Sequence, residues 1–206
     1  MRQNRDVTDH STESTATPVA VPILQTERLA LRDWRATDRA AHAAMNADPA
    51  VMRHFPATMT AAESDAMFER MATHWAEHGF GLWAVERSSD GAFLGFTGLT
   101  RPSFEVHFTP AVEVGWRFVR TAWGHGYATE AAEAALRFGF ERVGLEEIVS
   151  FTVPANEPSW RVMERIGMTR DTKDDFDHPR LPEGHRLRRH LLYRLRRDDW
   201  ERRPRS

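Results

Sequence analysis

The 206-residue sequence contains no cysteine, which excludes disulfides, thiolate metal sites and a thiol nucleophile. It also lacks any apolar run of the length that a membrane-spanning helix needs, so no contact with a membrane is expected. Met1–Thr17 is polar and charged, unlike the apolar core of a secretory signal, and a cytoplasmic location is expected. Lysine is nearly missing: Lys173 stands alone among many arginines, a bias read as base composition rather than chemistry. Tyrosine is scarce too, with Tyr127 and Tyr193 only. There is no excess of positive charge, and the formal net charge of −2 argues against a general nucleic-acid binder.

What is present suits one globular domain. Met1 to about Pro22 is rich in Ser, Thr and Asp without an apolar period and reads as a disordered leader. Residues 23–200 form the expected domain, with 201–206 as a tail. Leu29 and Leu31 alternate with Arg28 and Arg32 as a short strand. Thr37–Asp38 is placed to cap a helix through Ala40, Ala44 and Met45, which Asp48-Pro49 interrupts. Thr60 and Glu63 make a capping box, Met67, Phe68, Met71 and Trp75 follow at helical spacing, and Gly79 offers a stop. Gly81–Arg87, Phe93–Thr100 and Val112–Val119 predict an antiparallel meander. In the third strand, Val112, Val114, Trp116 and Phe118 share one face, and Glu113, Gly115 and Arg117 the other. Glu147–Val153 and Leu191–Leu195 predict further strands, with a short helix at Pro158–Ile166 between them.

Between the alternating strand and a helix running to about Val143 lies Trp123-Gly-His-Gly-Tyr-Ala-Thr-Glu130. Gly124 and Gly126 allow a sharp turn and close approach of a ligand to the backbone. The helix that follows presents unpaired N–H groups and the positive end of its dipole. Together these features describe a phosphate cradle. A P-loop would need Gly-Lys-Ser/Thr here, and no lysine is present. A Rossmann turn would open the first helix of a βαβ unit, whereas antiparallel strands come first. A turn whose glycines serve geometry alone remains the rival reading.

On these residues the chain resembles the GCN5-related N-acetyltransferase (GNAT) superfamily, in the RimJ/RimL-type branch that acetylates ribosomal-protein N-termini. The resemblance runs from about Leu24 to Trp200. Trp123-Gly-His-Gly-Tyr-Ala128 is similar to the superfamily's Gln/Arg-x-x-Gly-x-Gly/Ala turn, with Trp123 in place of Gln or Arg. Val112-Glu-Val-Gly-Trp116 is similar to the preceding strand, and Asn156-Glu-Pro-Ser159 to the Asn-x-x-Ser/Ala helix that ends at Gly167-Met168.

The resemblance implies an α/β fold, a mostly antiparallel mixed sheet with helices on both faces, holding acetyl-CoA where two strands splay apart. It implies cofactor contacts from Phe118, Val119, Gly124, His125, Gly126, Tyr127, Ala128, Thr129 and Asn156, with Ser159 near the thiol and no metal. Acetyl would pass directly to an amine, on a protein N-terminus such as a ribosomal protein's or on a small molecule such as an aminoglycoside or polyamine. A homodimer is common among such relatives. Glu113 is the candidate base, acting through water, against the alternative that it pairs with an arginine. The amide of Val119 or its neighbour is the candidate oxyanion donor. Relatives often carry a tyrosine acid seven residues after the asparagine; here that position is Met163, which leaves Ser159 or a water to protonate the thiolate. Met163 also motivates a second reading, a CoA-binding regulatory module without turnover.

Two further segments are singled out. Asp174-Asp-Phe-Asp-His-Pro179 matches no defensible metal spacing and is expected to be an acceptor-side loop, with His178 in substrate binding or loop ordering. The basic run Arg186–Arg205 is expected to be a solvated strand face and tail rather than an RNA contact.

Overall fold

The structure, a computed structural model, describes residues 20–203. The expected leader, up to residue 19, and the tail residues 204–206 lie outside it. Val21 packs against the core, and the Pro22 carbonyl accepts from Trp83 Nε1 at 2.8 Å.

A two-residue strand β1 (Leu24–Gln25) precedes β2 (Leu29–Arg32), whose Leu29 and Leu31 are fully buried. Each such leucine contributes about 1.5–3 kcal/mol relative to exposure. Helix α1 (Arg39–Ala47) follows, but Asp38 does not cap it through its side chain. That carboxylate instead forms a buried bidentate pair with Arg32, at 2.7 and 2.9 Å, and accepts from the Arg35 N–H at 2.8 Å. Burial alone would raise the Asp38 carboxyl; these bonds outweigh it and hold it below the usual range. Arg32 Nε also donates to Glu86 at 2.7 Å. The expected cap is thus a tertiary ion pair, because a buried arginine competes for the same oxygens.

Asp48 caps α2 (Pro49–Met52). The Thr60/Glu63 capping box opens α3 (Ala61–His78), and Gly79, at φ 69°, closes it. Strands β3 (Leu82–Arg87), β4 (Phe93–Thr100) and β5 (Glu113–Phe118) form the predicted meander. Helix α4 (Tyr127–Phe138) widens into one π-helical stretch, Gly139–Val143. There Gly139 lies so close to Leu99 and Ile148 that a Cβ would sit within 2.9 Å of each. Then come β6 (Glu147–Thr152), α5 (Glu157–Arg165), the two-residue strands β7 (Thr169–Arg170) and β8 (Phe176–Asp177), β9 (Arg189–Arg196) and α6 (Arg197–Glu201).

The sheet order is β1-β2-β3-β4-β5-β6-β9-β7, with β8 on β9. Among the described strands only the β5–β6 pairing is parallel. This is the mixed, mostly antiparallel α/β architecture expected. Apolar residues of α4 and α5 cover one sheet face together with Val114 and Phe118. Met45, Val51, Phe68 and Met71 of α1–α3 pack on the other, against Leu82 and Phe96. No described helix is long and apolar enough to cross a membrane.

Candidate active site

The site begins where the sheet opens. Strands β4 and β5 share six register pairs, as do β6 and β9, whereas β5 and β6 share one, Glu113↔Val149. At this bridge the Val149 N–H donates to the Val112 carbonyl, and just beyond it Ser150 Oγ donates to that of Val114. Past this point β5 and β6 diverge. Glu113 therefore stands at the apex of a fork.

The two faces of β5 follow the predicted alternation. Val112, Val114 and Phe118 are core residues, with Trp116 packed beside them. On the opposite face, the Glu113 carboxylate runs along the strand over Gly115, where a Cβ would come within 3.8 Å of Oε1. Glu113 is half-buried and, among the described residues, bonds to no arginine. Burial raises its pKa from 4.5 to about 8, since desolvation disfavours the charged form.

The turn lies at the open end of the fork. Gly124 and Gly126 both take φ 79°, a left-handed conformation that costs other residues about 1–2 kcal/mol. Among the described residues no protein group accepts from the backbone N–H of Gly124, His125, Gly126, Tyr127, Ala128 or Thr129; the Glu130 N–H is the first to bond, to the Gly126 carbonyl. This contiguous run of free donors at a helix N-terminus can bind phosphate oxygens. The side chains here mainly anchor the turn: Tyr127 is buried and stacks on His125 at 5.6 Å, and Trp123 Nε1 donates to the Phe118 carbonyl at 3.0 Å.

Arg28, which sequence reasoning missed, lies beside the turn. Glu130 accepts from Thr26 Oγ1 (2.6 Å), Arg28 N (2.8 Å) and Arg28 Nε (2.7 Å). The clamp sets the Arg28 guanidinium beside the turn, donating to the His125 carbonyl at 3.0 Å and lying 4.9 Å from the Tyr127 ring. The sequence carries no local signal for this, because the partners lie about a hundred residues apart.

The remaining candidates divide. Asn156 Nδ2 donates to Thr152 Oγ1 at 2.9 Å, while Ser159 Oγ has no partner among the described residues. Both are half-buried near the C-terminal end of β6. The Val119 N–H is unavailable for an oxyanion, because it donates to the Leu94 carbonyl; its own carbonyl accepts from Ala122 N. Val119 can thus meet a ligand through its remaining carbonyl lone pair only, whereas the N–H of its neighbour Phe118, at the non-hydrogen-bonded pair with Gly95, faces away from β4. Met163 is a core residue, 1% exposed. Tyr193 does not replace a tyrosine acid there: it is buried in the same core, and its hydroxyl donates to Glu164.

In the Asp174–Pro179 loop each carboxylate meets arginine: Asp174 with Arg194, Asp175 with Arg170, and Asp177 with Arg188 and Arg189. The His178 ring lies 4.6 Å from Phe104 and 5.2 Å from His190. Of the basic C-terminal run, Arg194, Arg197 and Arg203 are tied to Glu147, Glu146 and Glu133 within the fold. A separate open groove of about 490 Å³ lies between β1 and α4 and shares only Glu130 with the turn.

Residues 28–169 match the family model described as "Acetyltransferase (GNAT) domain". The chain belongs to the GNAT acetyltransferases. It is 33% identical over 154 residues to the protein YkkB of Bacillus subtilis (strain 168), covering 70% of this chain and 84% of YkkB. It is 29% identical to the FsC-acetyl coenzyme A-N(2)-transacetylase of Aspergillus fumigatus, over 88% of this chain and 79% of that enzyme. The acetyltransferase structure from Agrobacterium tumefaciens str. C58 superposes with a TM-score of 0.70 at 28% identity, covering 95% of this chain and 99% of its own. This GNAT protein is an acetyl-CoA-dependent N-acetyltransferase, and the six free amides at its fork suit such a phosphate-bearing substrate.

Proposed function

We propose that Glu113 is the general base of this N-acetyltransferase, and that the acceptor amine approaches on the Gly115 and Arg117 side of β5. The carrying observation is a carboxylate at the fork apex with no protein partner among the described residues and a pKa raised to about 8 by burial. An α-amine titrates near 8, so a base of this strength can take its proton at neutral to mildly alkaline pH, directly or through one water.

In this reading the amides of Gly124 to Thr129, with Arg28 beside them, hold the phosphates of acetyl-CoA, which supplies the activated acetyl thioester. The Asn156 side-chain Oδ1, left free while its Nδ2 donates to Thr152, orients the pantetheine arm. Ser159 Oγ serves the leaving sulfur. A thiol of pKa about 8.5 needs little acid help, which is consistent with an apolar Met163 in the core. The acceptor is an amine on a protein N-terminus, a ribosomal protein's included, or on a small molecule.

The test is the pH dependence of kcat/KM with a fixed amine. Wild type rises about tenfold per pH unit and levels near pH 8, and Glu113→Gln loses that limb with a drop of about 10²- to 10⁴-fold. An unchanged profile in Glu113→Gln removes Glu113 as the base.

A further inference from the structure

The acceptor face of β5 carries a second unusual group. Arg117 shares that face with Glu113 and Gly115, is 8% exposed, and forms no ion pair with any described carboxylate. Its Nη1 donates to Asn46 Oδ1 at 2.6 Å, and Asn46 in turn donates to Ser64 Oγ at 2.8 Å. Its Nε is sealed from solvent without a partner, and no described protein group accepts from Nη2. A buried cation without a counter-charge is costly. Aromatic faces offset part of that cost: the guanidinium carbon lies 4.2 Å from the Phe55 ring centroid and 5.3 Å from that of Phe96.

Phe55 is itself 37% exposed, on the segment after α2. That segment gathers further positive charge. Arg186 donates to the Arg53 carbonyl at 3.4 Å from both terminal nitrogens, and Arg53 Nε donates to His54 at 2.9 Å. Neither arginine is within ion-pair distance of a described carboxylate. Arg117 and Arg186 thus converge on the segment that carries Arg53, and Arg117 shares a strand face with the proposed base.

Building on the acceptor side proposed above, we infer that the acceptor carries a carboxylate as well as its amine, with Arg117 the specificity residue that receives it. The amine sits at Glu113, the bare Gly115 leaves room between, and the carboxylate reaches Arg117 beneath Phe55 while Arg53 and Arg186 draw it in. Glu113 and Arg117 are four residues apart, about 13 Å along a strand, so amine and carboxylate are several bonds apart. A polycation such as spermidine meets the wrong charge here.

Matched pairs test this: 6-aminohexanoate against 6-aminohexanamide, and the dipeptide amides Ser-Glu against Ser-Gln, with spermidine as the cationic control. Acetyl transfer is followed as released CoA. Wild type is expected to favour each acid by about 10- to 100-fold in kcat/KM, the range of a hydrogen-bonded charge. Arg117→Gln collapses the preference mainly through the acceptor KM, while the KM for acetyl-CoA moves less than twofold. Should Arg117→Gln not fold, Arg53→Ala/Arg186→Ala is expected to lower acid kcat/KM about threefold at low salt and to lose that effect at high salt. Equal use of acid and amide by wild type, or preference for spermidine, overturns the proposal, as does a preference that survives Arg117→Gln. The two readings fail separately: a fully active Glu113→Gln that keeps the acid preference removes the base and leaves the carboxylate site standing. An inactive Glu113→Gln with no acid preference in wild type does the reverse.

Discussion

Replacing Glu113 by Gln tests the fork through stability as well as through rate. The carboxyl titrates near 4.5 when unfolded and near 8 in the fold, so the native state holds its proton between those values and the unfolded chain does not. Stability from this group is therefore fully present below about pH 4.5 and is lost as pH rises through 8. At 1.36 kcal/mol per pH unit, wild type gives up about 3 kcal/mol by pH 7 and about 5 kcal/mol above pH 9. Gln keeps the shape of the protonated acid and never ionises, so Glu113→Gln gains stability over wild type by that growing margin. Urea unfolding of both proteins at pH 5, 6, 7 and 8, without CoA, reads the difference directly. A stability difference that stays flat across this range refutes the desolvation argument, and with it the physical basis for Glu113 as a base tuned to an amine.

Gly126→Ala puts a side chain at φ 79° and about 3.5 Å from Arg28 Nη2; it is expected to weaken CoA binding about tenfold by calorimetry. Asp38→Asn breaks the buried pair with Arg32 and should cost about 1.5–3 kcal/mol in urea unfolding, less than an unpaired buried charge would because Glu86 still holds Arg32, with the KM for acetyl-CoA unchanged. Ser159→Ala is expected to lower kcat less than tenfold at pH 8, because a thiolate of pKa about 8.5 leaves readily; a hundredfold loss in rapid-quench turnover would show Ser159 to be an obligate acid.

Local patterns carried much of this fold. The Thr60–Glu63 box and Gly79 bounded α3, and strict alternation assigned the faces of β5, because those signals depend on neighbours within a few residues. The left-handed glycines and unbonded amides of the turn were legible for the same reason. Its neighbours were not. Arg28 read as the outward residue of a strand, since its partner Glu130 lies 102 positions away. Asp38 read as a helix cap because sequence does not reveal that Arg32 is buried beside it. The backbone of Val119 looked free until β4 and the following 3-10 turn were seen to claim it. The lone cation at Arg117 was invisible as well: alternation put it on a polar face, and only the packing of Asn46, Phe55 and Phe96 around it shows that face to be buried.

The Glu130 clamp makes the cradle a non-local object. The helix start supplies the amides, but their neighbouring cation comes from the bend between β1 and β2, which the sheet joins to β5 through β3 and β4. Ligand affinity is therefore tied to the cooperative closing of the whole sheet, and CoA should act as a thermodynamic brace that stabilises the native state by an amount set by its concentration relative to Kd. In a chain with no disulfide, a substrate held as proposed, by the turn and Arg28 together, becomes the long-range cross-link between the first strands and the central helix.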